Sequence, residues 1–382
     1  MAADSSIPAP GRTSGLLRAA VLLVVYLTVA WFPVVNLINY PGLGNAGPAC
    51  GGEDFFGNMI YGRAPKPFVT RVLVPWLVRS AARVTPQSIK TPIERDARLQ
   101  TRNGLPRWLY QYAFEFWVTK YLLLVFTLGF AFALRWLARL TLGLSGLELD
   151  VIPVVTFFCL PGFYGFGSHV YDLPALCLFT LGLCLIAARR FVPYMLAFVI
   201  CTLNKETALL LTLVWLIGER RRLSARQLAA GVALQLMVWM VIRGGLLWLY
   251  RSNPGEAIAL TLARNVDMLS TPHHFSSFRA VGDWLILPNG FNTLYVLGFV
   301  WALFAVRRAP QFLKDALWIA LPISVLSWLF ANADEMRVYY ELLPIVVLVL
   351  ADSFYRLAGY SYRWAPAKNQ HRPGRRARRA DG

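Results

Sequence analysis

Acidic residues are scarce in this chain of 382 residues: 20 Asp and Glu stand against 38 Lys and Arg, for a formal net charge of +18. Such a balance would suit a nucleic-acid binder, but only 15% of the chain is charged and 57% is hydrophobic. Much of the positive charge lies in short loops and in the tail, beside apolar segments, where it sets membrane topology and meets anionic lipid headgroups. No nucleic-acid partner is expected. Cysteine is sparse too. Cys159, Cys177, Cys184 and Cys201 fall in apolar segments and only Cys50 in a loop, which leaves no disulfide framework and no zinc spacing. The adjacent His273 and His274 have no third ligand at a suitable distance in sequence and read as loop. No repeat of fixed period and no inverted similarity between the halves stands out.

Long apolar runs and aromatics are what the chain has in abundance, with 24 Phe, 16 Tyr and 13 Trp. Several runs reach the roughly 20 residues that a helix needs to span a bilayer. The expected fold is an all-α polytopic membrane protein with about eight transmembrane helices, a short membrane hairpin and an external juxtamembrane helix. The expected spans are Leu16–Ile38, Trp108–Leu137, Leu149–Tyr164, Leu173–Ala188, Leu228–Tyr250, Phe291–Val306, Ala316–Phe330 and Val338–Phe354. The first reads as an uncleaved anchor, Thr28–Ala30 being a poor cleavage site. Residues 1–15 and 359–382 are expected to be disordered and cytoplasmic, the latter strongly basic, on either side of a transmembrane domain at 16–358. Residues 39–107 and 251–290 are its external loops.

The stretch Arg189–Arg222 organises the rest. It is an apolar run with Asn204, Lys205 and Glu206 at its centre and arginine clusters at both ends. Ionisable groups inside a membrane segment are expensive and point to function. Arginine clusters prefer the cytoplasmic side, and one crossing helix cannot put both ends there. A hairpin of two short helices can. Its polar tip would form the floor of a cavity open to the outside, since non-helical backbone at membrane depth must be buried or line water.

The first external loop carries Glu53 and Asp54, and then Pro67–Val84, where Phe68, Val72, Leu73, Trp76 and Leu77 alternate with Arg71, Arg79 and Arg83. That spacing predicts a helix lying in the interface, followed by an exposed connection at 85–107. With this topology Glu53, Asp54, Arg71, His169, Tyr171, Asp172, Asn204, Lys205, Glu206, Arg337, Tyr340 and Glu341 collect on the external side. Carboxylates beside cations suit a reaction that activates a hydroxyl and handles a phosphate. A carboxylate near Glu53–Asp54 would be the general base, and Lys205, Arg71 and Arg337 would hold the phosphate. Plainer roles stand beside these. Asp172 would cap the helix opened by Leu173–Pro174, Lys205 and Glu206 would neutralise each other, and Arg71 would meet headgroups. Arg337 and Glu341 would form an i,i+4 pair on the last helix.

The order of features resembles the C superfamily of integral-membrane glycosyltransferases, most closely the polyprenyl-phosphate-mannose-dependent and aminoarabinose transferase branch. Glu53-Asp54-Phe55-Phe56, Gly62 and Lys66-Pro67 match its acidic pair, aromatic, glycine and juxtamembrane helix. Asp172-Leu173-Pro174, Arg189-Arg190 and Asn204-Lys205-Glu206-Thr207-Ala208 match its later motifs in kind and spacing. The likeness covers roughly residues 16–220. Here the acidic pair is Glu-Asp instead of the commoner Asp-Glu, and no soluble C-terminal domain like that of larger members is expected. The resemblance implies transfer of a sugar, mannose or another hexose, from a polyprenyl-phosphate donor to a hydroxyl of a lipid, glycan or protein acceptor. Asp54 or Glu53 would be catalytic, with Arg71, His169, Asp172, Asn204, Lys205, Glu206, Arg337, Tyr340 and Glu341 binding substrate. No cofactor is required by that chemistry, and a divalent metal is compatible with it. The setting would be the external face of a bacterial inner membrane, serving the cell envelope. A lipid-linked-sugar flippase or transporter, or a non-catalytic envelope-assembly scaffold, are the rival readings.

Overall fold

A computed structural model describes residues 12–39, 43, 54–101, 111–164, 169–271, 273–281 and 285–360. Glu53, Cys50 and the basic tail from 361 onward lie outside these described residues, as do residues 1–11. Of the described residues, 78% are helical. In chain order the helices are α1 (Arg12–Asn39), α2 (Phe55–Ile60), α3 (Leu73–Val84), α4 (Gln87–Thr101), α5 (Ala113–Leu142) and α6 (Gly146–Cys159). Then come α7 (Asp172–Ala187), α8 (Phe191–Asn204), α9 (Leu210–Glu219), α10 (Ala225–Leu249), α11 (Leu262–Leu269) and α12 (His273–Ser276). After a β-ribbon the chain ends with α13 (Thr293–Ala305), α14 (Gln311–Phe330, continuous through a short 3-10 turn) and α15 (Leu343–Leu357).

Among the described residues, five segments are long and apolar enough to cross a membrane: Leu16–Ile38, α5, Gly146–Tyr164, α10 and α14. α7 and α8 are shorter apolar helices. α7 is buried along nearly its whole length, because its neighbours α5 and α8 enclose it. Start signals fit the sequence. Ser224 and Gln227 form a reciprocal capping box on α10, Asn292 caps α13, and α7 opens with Asp172 and Pro174 in its first turn.

The bend expected in Arg189–Arg222 is there. α8 stops at Asn204, Lys205 is extended (φ −155°, ψ 142°), and a 3-10 turn at Glu206–Leu209 leads into α9. The arms come back together at their bases, where the Phe191 and Trp215 rings lie 5.5 Å apart.

The bundle has two unlike ends. At one, Asp150 joins Arg18 at 2.6 Å and Arg135 at 2.7 Å, Tyr355 donates to the Glu148 carbonyl at 2.7 Å, and Arg221 meets Asp315 at 3.1 Å. Basic termini of α1, α5, α9 and α15 therefore gather there. Most of these arginines are half exposed, so each pair is worth only about 0–1 kcal/mol. The opposite end carries the hairpin tip and the outer loops.

Four expectations are corrected. Residues 85–107 are no bare connection: Pro86 starts α4, which packs with α3 against α5. The second span runs from Ala113 to Leu142, so Arg135 and Arg139 lie within the helix. The protein is not wholly helical, since Phe278–Val281 (β1) and Leu285–Pro288 (β2) pair antiparallel, Phe278 opposite Pro288. Finally, Arg337 is not on the last helix: it sits in a 3-10 turn (Met336–Tyr339), and α15 starts only at Leu343. The second outer loop is clasped onto the end of α14, where Asn265 donates to the carbonyls of Trp328 at 2.9 Å and Ala331 at 2.7 Å. Its oxygen accepts from Ala333 N–H at 3.0 Å.

Candidate functional site

The hairpin tip is where the chain brings its buried charges together. Val72 N–H donates to the Leu203 carbonyl at 3.0 Å, which fixes the segment entering α3 against the tip and delivers Arg71 to it. Arg71 does not reach for headgroups. Its side chain is 11% exposed and clamps Glu206 through two hydrogen bonds, that from Nε at 3.2 Å. It also stacks over the Tyr171 ring at 4.3 Å. Burial works against the Arg71 cation, but Glu206 outweighs it and holds the guanidinium more firmly charged than usual.

Glu206 is shared. Arg243 approaches its Oε2 at 3.4 Å and also donates to the Thr70 carbonyl at 2.9 Å and hydroxyl at 2.8 Å. Sequence reading missed Arg243, although it is a single cation inside the apolar run of α10, which is the signal for an intramembrane functional group. Trp239, one turn earlier, donates to the Glu206 carbonyl at 3.0 Å.

Lys205 and Glu206 do not neutralise each other. Lys205 donates to Glu341 at 2.9 Å, with the two side chains 8% and 2% exposed, and Thr207 donates to the same carboxylate oxygen. Arg337 and Glu341 do not pair either. The 3-10 turn sends Arg337 to Glu335 (Nε at 2.9 Å) and towards Asp172 at 3.7 Å. Asp172 also accepts from His169 N–H at 2.8 Å, which ties the turn before α7 to its first residue; it is not the helix cap, since Tyr171 holds that position and no side chain caps it. The result is four cations (Arg71, Arg243, Lys205, Arg337) balanced by four acids (Glu206, Glu341, Asp172, Glu335). Removing one partner of such a buried pair costs roughly 3–5 kcal/mol.

Around this network lie polar atoms that have no hydrogen-bond partner: His169 Nδ1, Asn204 Oδ1, Glu341 Oε2 and the hydroxyls of Tyr164, Tyr171 and Tyr340. Native interiors leave few such groups, and each calls for an explanation. Asn204 itself is anchored through Nδ2 to the Tyr171 carbonyl at 2.9 Å. His169 stacks on Tyr171 (5.1 Å) and meets Phe68 (5.0 Å) and Phe55 (5.4 Å). Burial, and then Arg337, Arg71 and Lys205, push its pKa well below the ordinary histidine value. His169 is therefore a neutral ring with a free nitrogen.

Asp54 stands at the edge of this aromatic wall, at the start of α2, with Phe55 leading inward. Its Oδ2 accepts from Tyr112 at 3.2 Å, and Tyr112 in turn accepts from Arg63 at 3.2 Å. Its Oδ1 is buried and unpartnered. Gly57 makes this possible, since a Cβ there would collide with the Tyr112 ring and come within 2.7 Å of Asp54 Oδ1. Asp54 makes no ion pair with the four cations among the described residues. Tyr340 is wholly buried and stacks on Phe163 at 5.9 Å. Tyr112, Arg63 and Glu335 escaped the sequence reading, because nothing in local spacing ties them to the hairpin. Among the described residues no group of three His, Cys, Asp or Glu side chains gathers as a metal site.

Length, composition and arrangement of the helices define a multi-pass membrane protein with a charge-balanced polar site at the tip of a helical hairpin. No protein-family model matches the chain, and no curated protein and no solved structure matches it.

Proposed function

We propose that the protein is a membrane glycosyltransferase that moves a sugar from a polyprenyl phosphate to an acceptor hydroxyl. The observation that carries this reading is the packing of Arg71, Arg243, Lys205 and Arg337 around buried, unpartnered oxygens, next to a carboxylate with one oxygen held and one free. In the reaction the acceptor oxygen bonds to the anomeric carbon as the bond from that carbon to the phosphate oxygen breaks. The bonding pair leaves with polyprenyl phosphate, and the hydroxyl proton passes to Asp54 Oδ1. A single displacement of this kind inverts the anomeric centre. Charge grows on the departing phosphate, where guanidinium groups fixed beforehand by their acids stabilise it most. Neutral His169 and the free tyrosine hydroxyls would bind sugar hydroxyls.

The arginine-rich end of the bundle belongs in the cytoplasm by the positive-inside rule. The eight crossings and hairpin read from the sequence then put the site on the external face, in an inner membrane whose envelope supplies donor and acceptor. The test uses purified protein in lipid with a panel of radiolabelled polyprenyl-phosphate sugars. Wild type should consume one donor, and Asp54→Asn should abolish turnover while still binding prenyl phosphate. Binding without consumption would favour a flippase, and no binding at all would leave a scaffold.

A further inference from the structure

The base of the hairpin, remote from the charged cluster, is open as well. Between the end of α7, the arms α8 and α9 and the start of α10 lies a cleft of about 510 Å³. Small-molecule sites run from about 300 to 1,000 Å³. Its walls are hydrocarbon and aromatic: Leu185, Ile186, Phe191, Trp215, Leu223 and Leu234. The polar groups within reach are mostly spoken for. Tyr194 donates to Gln235 at 2.6 Å, and Gln227 is committed to the α10 capping box. Gly231 sets the width, because a Cβ there would run into the Trp215 indole.

The rim is basic. Arg189, Arg190 and Arg222 all line the cleft. Arg222 is neutralised by Glu219 at 2.8 Å. Arg189 and Arg190 are exposed and make no ion pair among the described residues; their backbone N–H groups close the α7 end onto Ile186 and Leu185. The left-handed backbone at Arg189 (φ 58°) turns the chain there, so two consecutive cations arrive at one mouth.

Two unpaired guanidiniums above a hydrocarbon-lined slot match the chemistry of an anionic lipid, with phosphate at the arginines and acyl chain along the walls. We propose that this cleft binds an anionic phospholipid of the membrane leaflet at the basic end of the bundle. The site requires only that the bundle sit in a membrane and does not rest on glycosyl transfer. Bound there, the lipid braces the bases of α8 and α9, the same two arms that hold Lys205 and Glu206 at the tip.

Native mass spectrometry of the full chain, purified in detergent with equimolar phosphatidylglycerol and phosphatidylcholine of matched acyl chains, tests this. Wild type should retain phosphatidylglycerol over phosphatidylcholine by about tenfold or more. The double variant R189Q/R190Q should erase that preference, whereas R307Q/R308Q, which removes equal charge away from the cleft, should keep it. Leu234→Trp fills the slot with every arginine intact and should lose the lipid too, which keeps the question open to decision if the double variant does not fold. An unchanged preference in R189Q/R190Q, an equal loss in R307Q/R308Q, or undiminished lipid in L234W would overturn the proposal. So would displacement by glycerol 3-phosphate as effective as by whole lipid, since the acyl slot would then be idle.

Discussion

Lys205 and Glu206 are neighbours in the chain, yet they sit in separate ion pairs. Lys205 meets Glu341 at 2.9 Å, and Glu206 meets Arg71 at 3.2 Å. The single extended residue at Lys205, between the end of α8 and the 3-10 turn that opens at Glu206, breaks the helical path and parts them. The hairpin tip thus ties two distant segments at once: the entry to α3 through Glu206, and the approach to α15 through Lys205.

Glu341→Gln leaves Lys205 buried without its counter-charge. The expected loss is about 3–5 kcal/mol, whereas K205M/E341L removes both charges and should recover most of it. Melting of the detergent-solubilised protein measures both. A loss in the double variant equal to the summed losses of Lys205→Met and Glu341→Gln would mean that the two side chains contribute separately.

Glu206→Gln removes the anion shared by Arg71 and Arg243. Tm should fall without ligand, and added prenyl phosphate should raise it by more than in wild type, because the phosphate then has both guanidiniums to itself. If the ligand-induced rise does not exceed that of wild type, Glu206 and the phosphate do not compete.

His169 predicts an acid limit to stability. Its folded pKa lies well below the ordinary value, through burial and then the charges of Arg337, Arg71 and Lys205. The unfolded chain takes up a proton below about pH 6.5 and the folded protein does not. Stability from this group is therefore complete above that pH and is lost as pH falls towards the folded pKa, by up to about 1.4 kcal/mol per unit. A scan of Tm against pH should show this slope in wild type and a shallower one in His169→Phe. Identical slopes would assign the acid limit to other groups.

Gly57→Ala presses a methyl group against Tyr112 and Asp54. Overpacking of this kind costs roughly 1–3 kcal/mol. Turnover of the donor should drop by about tenfold or more with little change in KM, because the base moves and the arginine cluster stays. A rise in KM at constant kcat would place Asp54 in binding instead.

Much of the helical frame was legible because apolar runs and flanking arginines are local signals. Arg189–Arg222 is the best case: basic at both ends, apolar in the arms, polar in the middle, and it folds as the hairpin those facts require. That the buried polar residues would gather at the hairpin tip was largely legible, and how they pair was much less so. Arg337 and Glu341 look like helical neighbours, but the turn at Met336–Tyr339 redirects Arg337 to Glu335 and Asp172, and no sequence period reports that. Arg243 could have been found from its lone charge in α10. The Tyr112–Asp54 contact could not, since it spans 58 residues and depends on how α2 lies against α5.

Asn265 gives the outer loop a mechanical role. It grips α11 to the carbonyls of Trp328 and Ala331 and to the N–H of Ala333, and the same segment turns at Asn332–Glu335 and leads into the 3-10 turn that carries Arg337. Clasp and arginine are thus close neighbours along one segment. A change that loosens the Asn265 clasp is expected to be felt a few residues on, at the Arg337–Asp172 contact.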